Sequence, residues 1–348
     1  MEPDQRIKVG GLKVLGGGTC LVSSFPGAEF RLGAQVTGPL AHNKINLTFL
    51  THVAGDRTAL CTSGEAGEGA LALLQHLGGS KDAFKLQRDI AIVGVYPHDK
   101  RPEIIGAFIR SLARSMSRIF GLASSPSAIT GILETRRKVK AVHQLFADFQ
   151  FSSFADPREF FAAQEFPEEY VRKAVATYQE KVIKVYWVLS QPDLDLWAVS
   201  IPTAAILEEI ADILTRLGSL GLAIPFLIAI PRLGTEELLF AFSTARAPGA
   251  PDQGGELRRL LHERLPGIRP MRLTPVAGIF LHGPHFGDRY GITHALVEAL
   301  EQVNVSILAM SCTISSISLI VRQHELAPAL MVLGQVFQAP VSGTPSAI

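Results

Sequence analysis

The chain has 348 residues, 47% of them hydrophobic and 19% charged, which excludes a disordered polymer and supplies apolar matter for several cores. Its 33 Lys and Arg against 32 Asp and Glu leave a formal net charge of +1, so the electrostatic footprint of a nucleic-acid binder is missing. Three widely separated cysteines, Cys20, Cys61 and Cys312, match neither a disulfide framework nor zinc-ligand spacing and suit a reduced cytoplasmic compartment.

The opening "MEPDQRIKVGG" is polar and has no signal-peptide core. The longest apolar run, "LGLAIPFLIAIP" (220–231), is too short to cross a bilayer and contains Pro225. The expectation is a soluble cytoplasmic protein that meets neither membrane nor nucleic acid.

Along the chain, helical and extended periods alternate in a repeated order. Residues 18–84 read as the strand "TCLVSSFPG", an imperfect Gly-containing helix to His42, the strands "INLTFLTHV" and "RTALCTS", and the helix "EGALALLQHL". Next come "DIAIVGVYP", the helix "PEIIGAFIRSLA", the hairpin "SRIFGLAS"/"AITGILET" and the helix "KVKAVHQLFADF". After a connector, "VIKVYWVLS" and "LDLWAVSIP" lead into the helix "TAAILEEIADILTRLG". The strands "AIPFLIAIP" and "EELLFAFS" and the helix "GELRRLLHERL" follow. Residues 284–322 repeat the second block at a constant offset: Ile104 falls on Ile292, Leu112 on Leu300, Ile119 on Ile307, Ile129 on Ile317 and Ile132 on Ile320. The first and third blocks each carry an extra leading strand, "IKVGGLKVL" and "VIKVYWVL".

This grammar predicts an α+β fold of four tandem ferredoxin-like βαββαβ units in two doubled halves, with antiparallel sheets and helices on one face. The units span 1–84, 85–154, 182–273 and 274–338. A helical connector at 155–181 starts at an Asp156–Pro157 cap and carries Phe160, Phe161, Phe166, Tyr170 and Val171. A disordered tail occupies 339–348. A unit of roughly 70 residues buries only about 60% of its unfolded surface. Strands such as "AIPFLIAI" and "SISLIV" are apolar on both faces, so the units should join edge to edge or stack.

The stretch "GDRYGITHALVEALEQVNVSILAMSCTISSISLIV", with the order of elements around it, resembles the ACT-domain family, in particular the paired regulatory ACT domains of aspartokinases. The other units share the topology with weaker motifs, "FPGAEFRLGAQV" with "KINLTFL", "DKRPEIIGAFI" and "SIPTAAIL". The resemblance implies an allosteric module, without a kinase domain, that binds a free amino acid or similar small molecule between paired units.

Residue chemistry fits that implication. A carboxylate needs backbone N–H donors, and a helix N-terminus offers them with a favourable dipole. Gly287 and Gly291 allow close approach and positive φ, with Asp288, Arg289, Tyr290, Ile292 and Thr293 completing the loop and first turn. The plainer reading is a Gly-containing loop that any α+β domain uses before a helix. Arg31, Arg101 and Arg289 precede their helices alike, either to meet a ligand carboxylate or as solvated or bridging residues. Ser311, Cys312 and Thr313 stand where the resemblance implies ligand-side residues. Leu308 and Phe120 depart from the acidic residue found there in many relatives, so an ammonium loses its charged partner and feedback binding of lysine or threonine is put in doubt.

The stretch "KVGGLKVLGGGTC" (8–20) has only a superficial likeness to the phosphate loop of aspartokinase catalytic domains and lacks its aromatic and hydroxyl residues. His282 and His285 of "HGPH", with His98 in the matching loop, are too few for a metal centre and read as loop packing. The expectation is a regulatory protein that is not an enzyme, needs no cofactor or metal, and acts through shape, through a metabolic enzyme or through self-association. The rival readings are an aspartokinase-related protein, the regulatory portion of an amino-acid biosynthetic kinase, and an interaction module without ligand.

Overall fold

The computed structural model describes residues 6–24, 30–55, 57–77, 83–164, 183–202, 206–245, 253–284, 286 and 289–339. In the first half, β1 (Ile7–Val9) and β2 (Gly11–Ser24) precede a π-helical turn (Gly33–Thr37) that continues into α1 (Gly38–His42). Then follow β3 (Phe49–Val53), β4 (Arg57–Ser63), α2 (Gly67–Leu77), β5 (Phe84–Tyr96), α3 (Pro102–Arg114), β6 (Ile119–Ser124), β7 (Ile129–Glu134), α4 (Lys138–Asp148), β8 (Phe149–Phe151) and α5 (Pro157–Gln164). The second half repeats the order: β9 (Ile183–Lys184), β10 (Trp187–Ile201), α6 (Leu207–Ser219), β11 (Ala223–Pro231), β12 (Leu238–Ala245), α7 (Gln253–Arg264) and β13 (Met271–His282). It ends with α8 (Ile292–Gln302), β14 (Ala309–Cys312), β15 (Ser316–Arg322), α9 (Leu326–Val336) and β16 (Phe337–Gln338).

Hydrogen bonding joins twelve of these strands into one closed antiparallel sheet, in the order β10-β12-β11-β6-β7-β5-β2-β4-β3-β14-β15-β13. Strand pairing is the same in both halves. β2 lies between β4 and β5, as β10 lies between β12 and β13, and β1 pairs parallel with β8 as β9 does with β16. The halves join through two edge pairs, β3 with β14 and β6 with β11. Strands that are apolar on both faces thus lose their exposed edges, the outcome their composition calls for.

The extra leading strands divide: their first residues form β1 and β9, and the remainder belongs to β2 and β10. β2 runs on through "LKVL", and β10 runs from Trp187 through both segments read as two strands. Register shifts at Leu15/Gly18 and Gln191/Leu194 absorb the change, with Gly17 and Asp193 at positive φ. β5 begins at Phe84 and β13 at Met271, within three residues of the ends expected for the first and third blocks.

Three apolar clusters follow from strand alternation. α3, α4, α6 and α7 cover one helix-side core around Val93, Phe108, Leu133, Trp197 and Leu227. α1, α2, α8 and α9 cover another around Leu50, Leu60, Ile279, Leu296 and Leu319. The opposite strand faces fill the space inside the closed sheet with Phe49, Ile92, Phe120, Phe226, Phe280 and Ile320. α3 meets α6 closely, since a Cβ at Gly106 would come within 2.6 Å of the Ala211 carbonyl oxygen. Truncating Phe108, fully buried here, would cost about 3–5 kcal/mol.

At the connector, Asp156 Oδ1 accepts from the Arg158 and Glu159 amides at 2.7 and 3.0 Å and caps α5, whose Phe160 is buried against Phe146 and Phe154. Phe166, Tyr170 and Val171, and the tail from 340, lie outside the described residues. Among the described residues no helix is long and apolar enough to cross a membrane.

Candidate functional site

The pairing of β3 with β14 aligns Thr51 with Ser311 and Leu50 with Cys312, and so brings α1 beside α8. Gly291 is the N-cap of α8 at φ 84°, a left-handed conformation that favours glycine, and its carbonyl accepts from the Ala295 amide at 2.9 Å. Arg289, Gly291, Ile292, Thr293 and His294 face Thr37, Leu40, Ala41 and Leu47 across a slot of about 10 Å³. That is room for about one water. Thr37 Oγ1 lies 3.4 Å from His294 Nδ1, and the Gly33 amide donates to Glu301 Oε1 at 3.1 Å. The slot therefore lies between the first and last blocks of the sequence, with both polar contacts on the side of it toward the C-terminal end of α8.

The expected site residues divide. Arg289, Gly291, Ile292 and Thr293 line the slot, with Arg289 and Gly291 half-buried and Ile292 and Thr293 buried, whereas Tyr290, also half-buried, does not line it. Gly287, Asp288 and His285 lie outside the described residues. Cys312 reaches the loop, taking a contact from Thr293 Oγ1 at 3.4 Å, and burial pushes its thiol up to about 11. Ser311 does not: Met310 and Cys312 point into the helix-side core, so strand alternation turns Ser311 inward with Ala309. Thr313 caps the β14–β15 turn, with its hydroxyl 2.9 Å from Ser316 Oγ.

Leu308 and Phe120 both pack inside the closed sheet, so the apolar residues at those positions belong to that core. Arg101 is ion-paired with Glu103 at 2.7 Å, and Arg31 is exposed. Four of the five glycines of "KVGGLKVLGGGTC" lie in β2, Gly10 being the bend before it: Gly11 lies under the Tyr96 ring and Gly18 under Ile90. His98 is fully buried, with Nδ1 accepting from the Lys100 amide at 3.1 Å, whereas His282 stacks on Trp187 at 5.2 Å. The contribution of α1 to the slot was missed, because nothing in "GAQVTGPLAH" signals which unit it will face.

No family model matches the sequence, and no curated relative matches it either. Structurally the fold is shared with a solved aspartate kinase. The crystal structure of aspartate kinase from Synechocystis matches with a TM-score of 0.74 at 16% identity, over 97% of this chain and 58% of that one. The regulatory subunit of aspartate kinase from Thermus thermophilus, in its ligand-free form, is 19% identical over 41% of this chain and 98% of its own, with a TM-score of 0.37. E. coli aspartokinase III, in complex with aspartate and ADP, is 13% identical over 45% of this chain and 34% of its own, with a TM-score of 0.34.

This chain therefore spans a little over half of the Synechocystis enzyme. The likeness corrects one expectation. A fold shared over 97% of the chain with a kinase overturns the reading of a protein that is not an enzyme.

Proposed function

We propose that the chain is an aspartokinase-related regulatory module of four ACT-like βαββαβ units, which binds a free amino acid where the first unit meets the fourth. The units share β2, β5, β10 and β13 at their boundaries and pair first with fourth and second with third. The observation that carries the reading is the abutment of the Gly291 loop on α1 across the β3–β14 junction. A carboxylate entering there would meet the N-terminal amides of α8.

The slot of about 10 Å³ is far smaller than an amino acid, so binding must part α1 from α8. Parting them strains the Thr37–His294 and Gly33–Glu301 contacts, which turns occupancy into a change in packing between units. A ligand that binds the parted and closed arrangements unequally shifts their balance, typically by about 1–3 kcal/mol of coupling. The partner that reads this shift is an aspartokinase catalytic unit or a second copy of this chain. A reduced cytoplasmic setting fits the three buried, unbridged cysteines.

A thermal-shift screen of the common amino acids, followed by calorimetry, tests the reading. One amino acid should raise the melting temperature, and Thr293→Val together with Arg289→Ala should abolish the shift. No response to any amino acid, or a response intact in the double variant, rejects the site. Aspartyl-phosphate formation from aspartate and ATP, measured with and without that amino acid, reports separately on kinase chemistry.

A further inference from the structure

A cavity of about 430 Å³ opens at the end of the closed sheet where β5 and β13 run out. That volume falls within the range of small-molecule sites, roughly 300–1,000 Å³. It lies on the strand faces opposite the helices, away from the slot between α1 and α8. β2 contributes Lys13 and Leu15, β5 contributes Ile92, Gly94 and Tyr96, and β7 contributes Thr130. His282 and the β14–β15 turn form the facing wall.

Register explains the space. Ile92 pairs with Ile132 as Gly278 pairs with Ile320, so two residues further on Gly94 corresponds to Phe280. Phe280 is buried and folds back over Gly278, where a Cβ would come within 2.7 Å of its ring. In the first half a glycine replaces that ring, and the volume is left open. Tyr96 is held at the rim, its ring over Gly11, and remains 46% exposed.

The lining selects a ligand class. Lys13 is the one residue with a full charge among those that line the cavity, and no carboxylate lines it. Leu15, Ile92 and the Tyr96 ring supply an apolar wall, while Thr130 offers a hydroxyl. His282 Nδ1 is buried with no hydrogen-bond partner within 3.5 Å, and the Ser315 backbone lies beside the ring. Such a buried polar atom is satisfied when a ligand supplies the missing partner. An ammonium group would find only cationic and neutral neighbours. We propose that this cavity binds a small organic anion, a monocarboxylate on an aromatic or aliphatic body, independently of the groove between α1 and α8.

Hydrocinnamate, phenylalanine's skeleton without the ammonium, is the probe, measured by calorimetry on the full chain. It should bind saturably, with phenylalanine weaker at this cavity by about tenfold. Lys13→Glu, at an exposed position, should weaken hydrocinnamate by about tenfold or more, and Thr130→Phe, which lays a ring over Gly94, should do the same. Arg289→Ala, in the other groove, should leave it unchanged. Lys13→Glu decides the matter should Thr130→Phe fail to fold. The proposal is overturned by no saturable binding at millimolar probe, by affinity that survives Lys13→Glu, or by phenylalanine binding equally well in the wild type but not in Lys13→Glu.

Discussion

Arg57 and Glu237 form an ion pair across the closed sheet although 180 residues separate them, and Arg57 Nη1 also donates to the Ile230 carbonyl at 3.3 Å. Arg57 begins β4 and Glu237 stands just before β12, so the pair ties the β3–β4 turn to the β11–β12 turn. The Arg57 side chain is 2% exposed and Glu237 22%. Removing the carboxylate leaves a guanidinium in the interior, and Glu237→Ala should cost about 3 kcal/mol. Arg232→Ala should cost under about 1 kcal/mol, since its contact to Glu237 at 3.2 Å is solvent-screened. Urea unfolding of both variants checks the ranking, and equal losses would show that burial of Arg57 does not dominate.

Acid should destabilise the fold before its carboxylates titrate. Burial lowers the pKa of His52 and of His98 to about 4, below the ordinary histidine value of 6.5. The unfolded chain therefore takes up protons that the folded one refuses, and stability falls as pH drops from about 6.5 to about 4. Each histidine contributes on the order of 2–3 kcal/mol to that loss. His98→Asn, whose side-chain oxygen can accept from the Lys100 amide, should flatten the fall in melting temperature between pH 7 and pH 4.5, about as far as one such group predicts. An unchanged slope would mean that His98 titrates normally.

Most of the helices and strands were legible because periodicity follows burial. β4 matches "RTALCTS" residue for residue, and α3 and α8 fall on the aligned Ile104 and Ile292. Three features were not legible. Continuity of β2 and β10 depends on bulges at Gly17 and Asp193, which read locally as breaks. Closure depends on which edge strands meet, a choice made by packing of α3 on α6 and of α1 on α8. Ser311 was placed with Cys312 by adjacency in a motif, whereas the pleat sends neighbours to opposite faces.

The cysteines also meet in a way that their spacing hides. Cys20 and Cys61 stand opposite each other on β2 and β4, both buried, and burial followed by contact with Cys20 raises the Cys61 thiol well above its usual range. A thiol reagent should leave the native protein unlabelled at neutral pH and label all three thiols in guanidinium. Rapid labelling of the folded chain would contradict this packing.

The last prediction separates strain from occupancy at Gly291. A Cβ there would sit 3.9 Å from Ala41 Cβ, an ordinary contact, so space permits a side chain and only the φ of 84° opposes it. Valine is strained in that conformation by roughly 1–2 kcal/mol, whereas asparagine tolerates it better. Gly291→Val should therefore lose about that much stability in urea, while Gly291→Asn should lose under about 1 kcal/mol. Both side chains project toward α1 and fill the slot through which the α8 amides would be reached. Both should then weaken the amino acid found in the thermal-shift screen by about tenfold or more, as read by calorimetry. Asparagine is the decisive variant because its fold stays near native. Full affinity in Gly291→Asn would remove this loop from the amino-acid site, whatever Gly291→Val does.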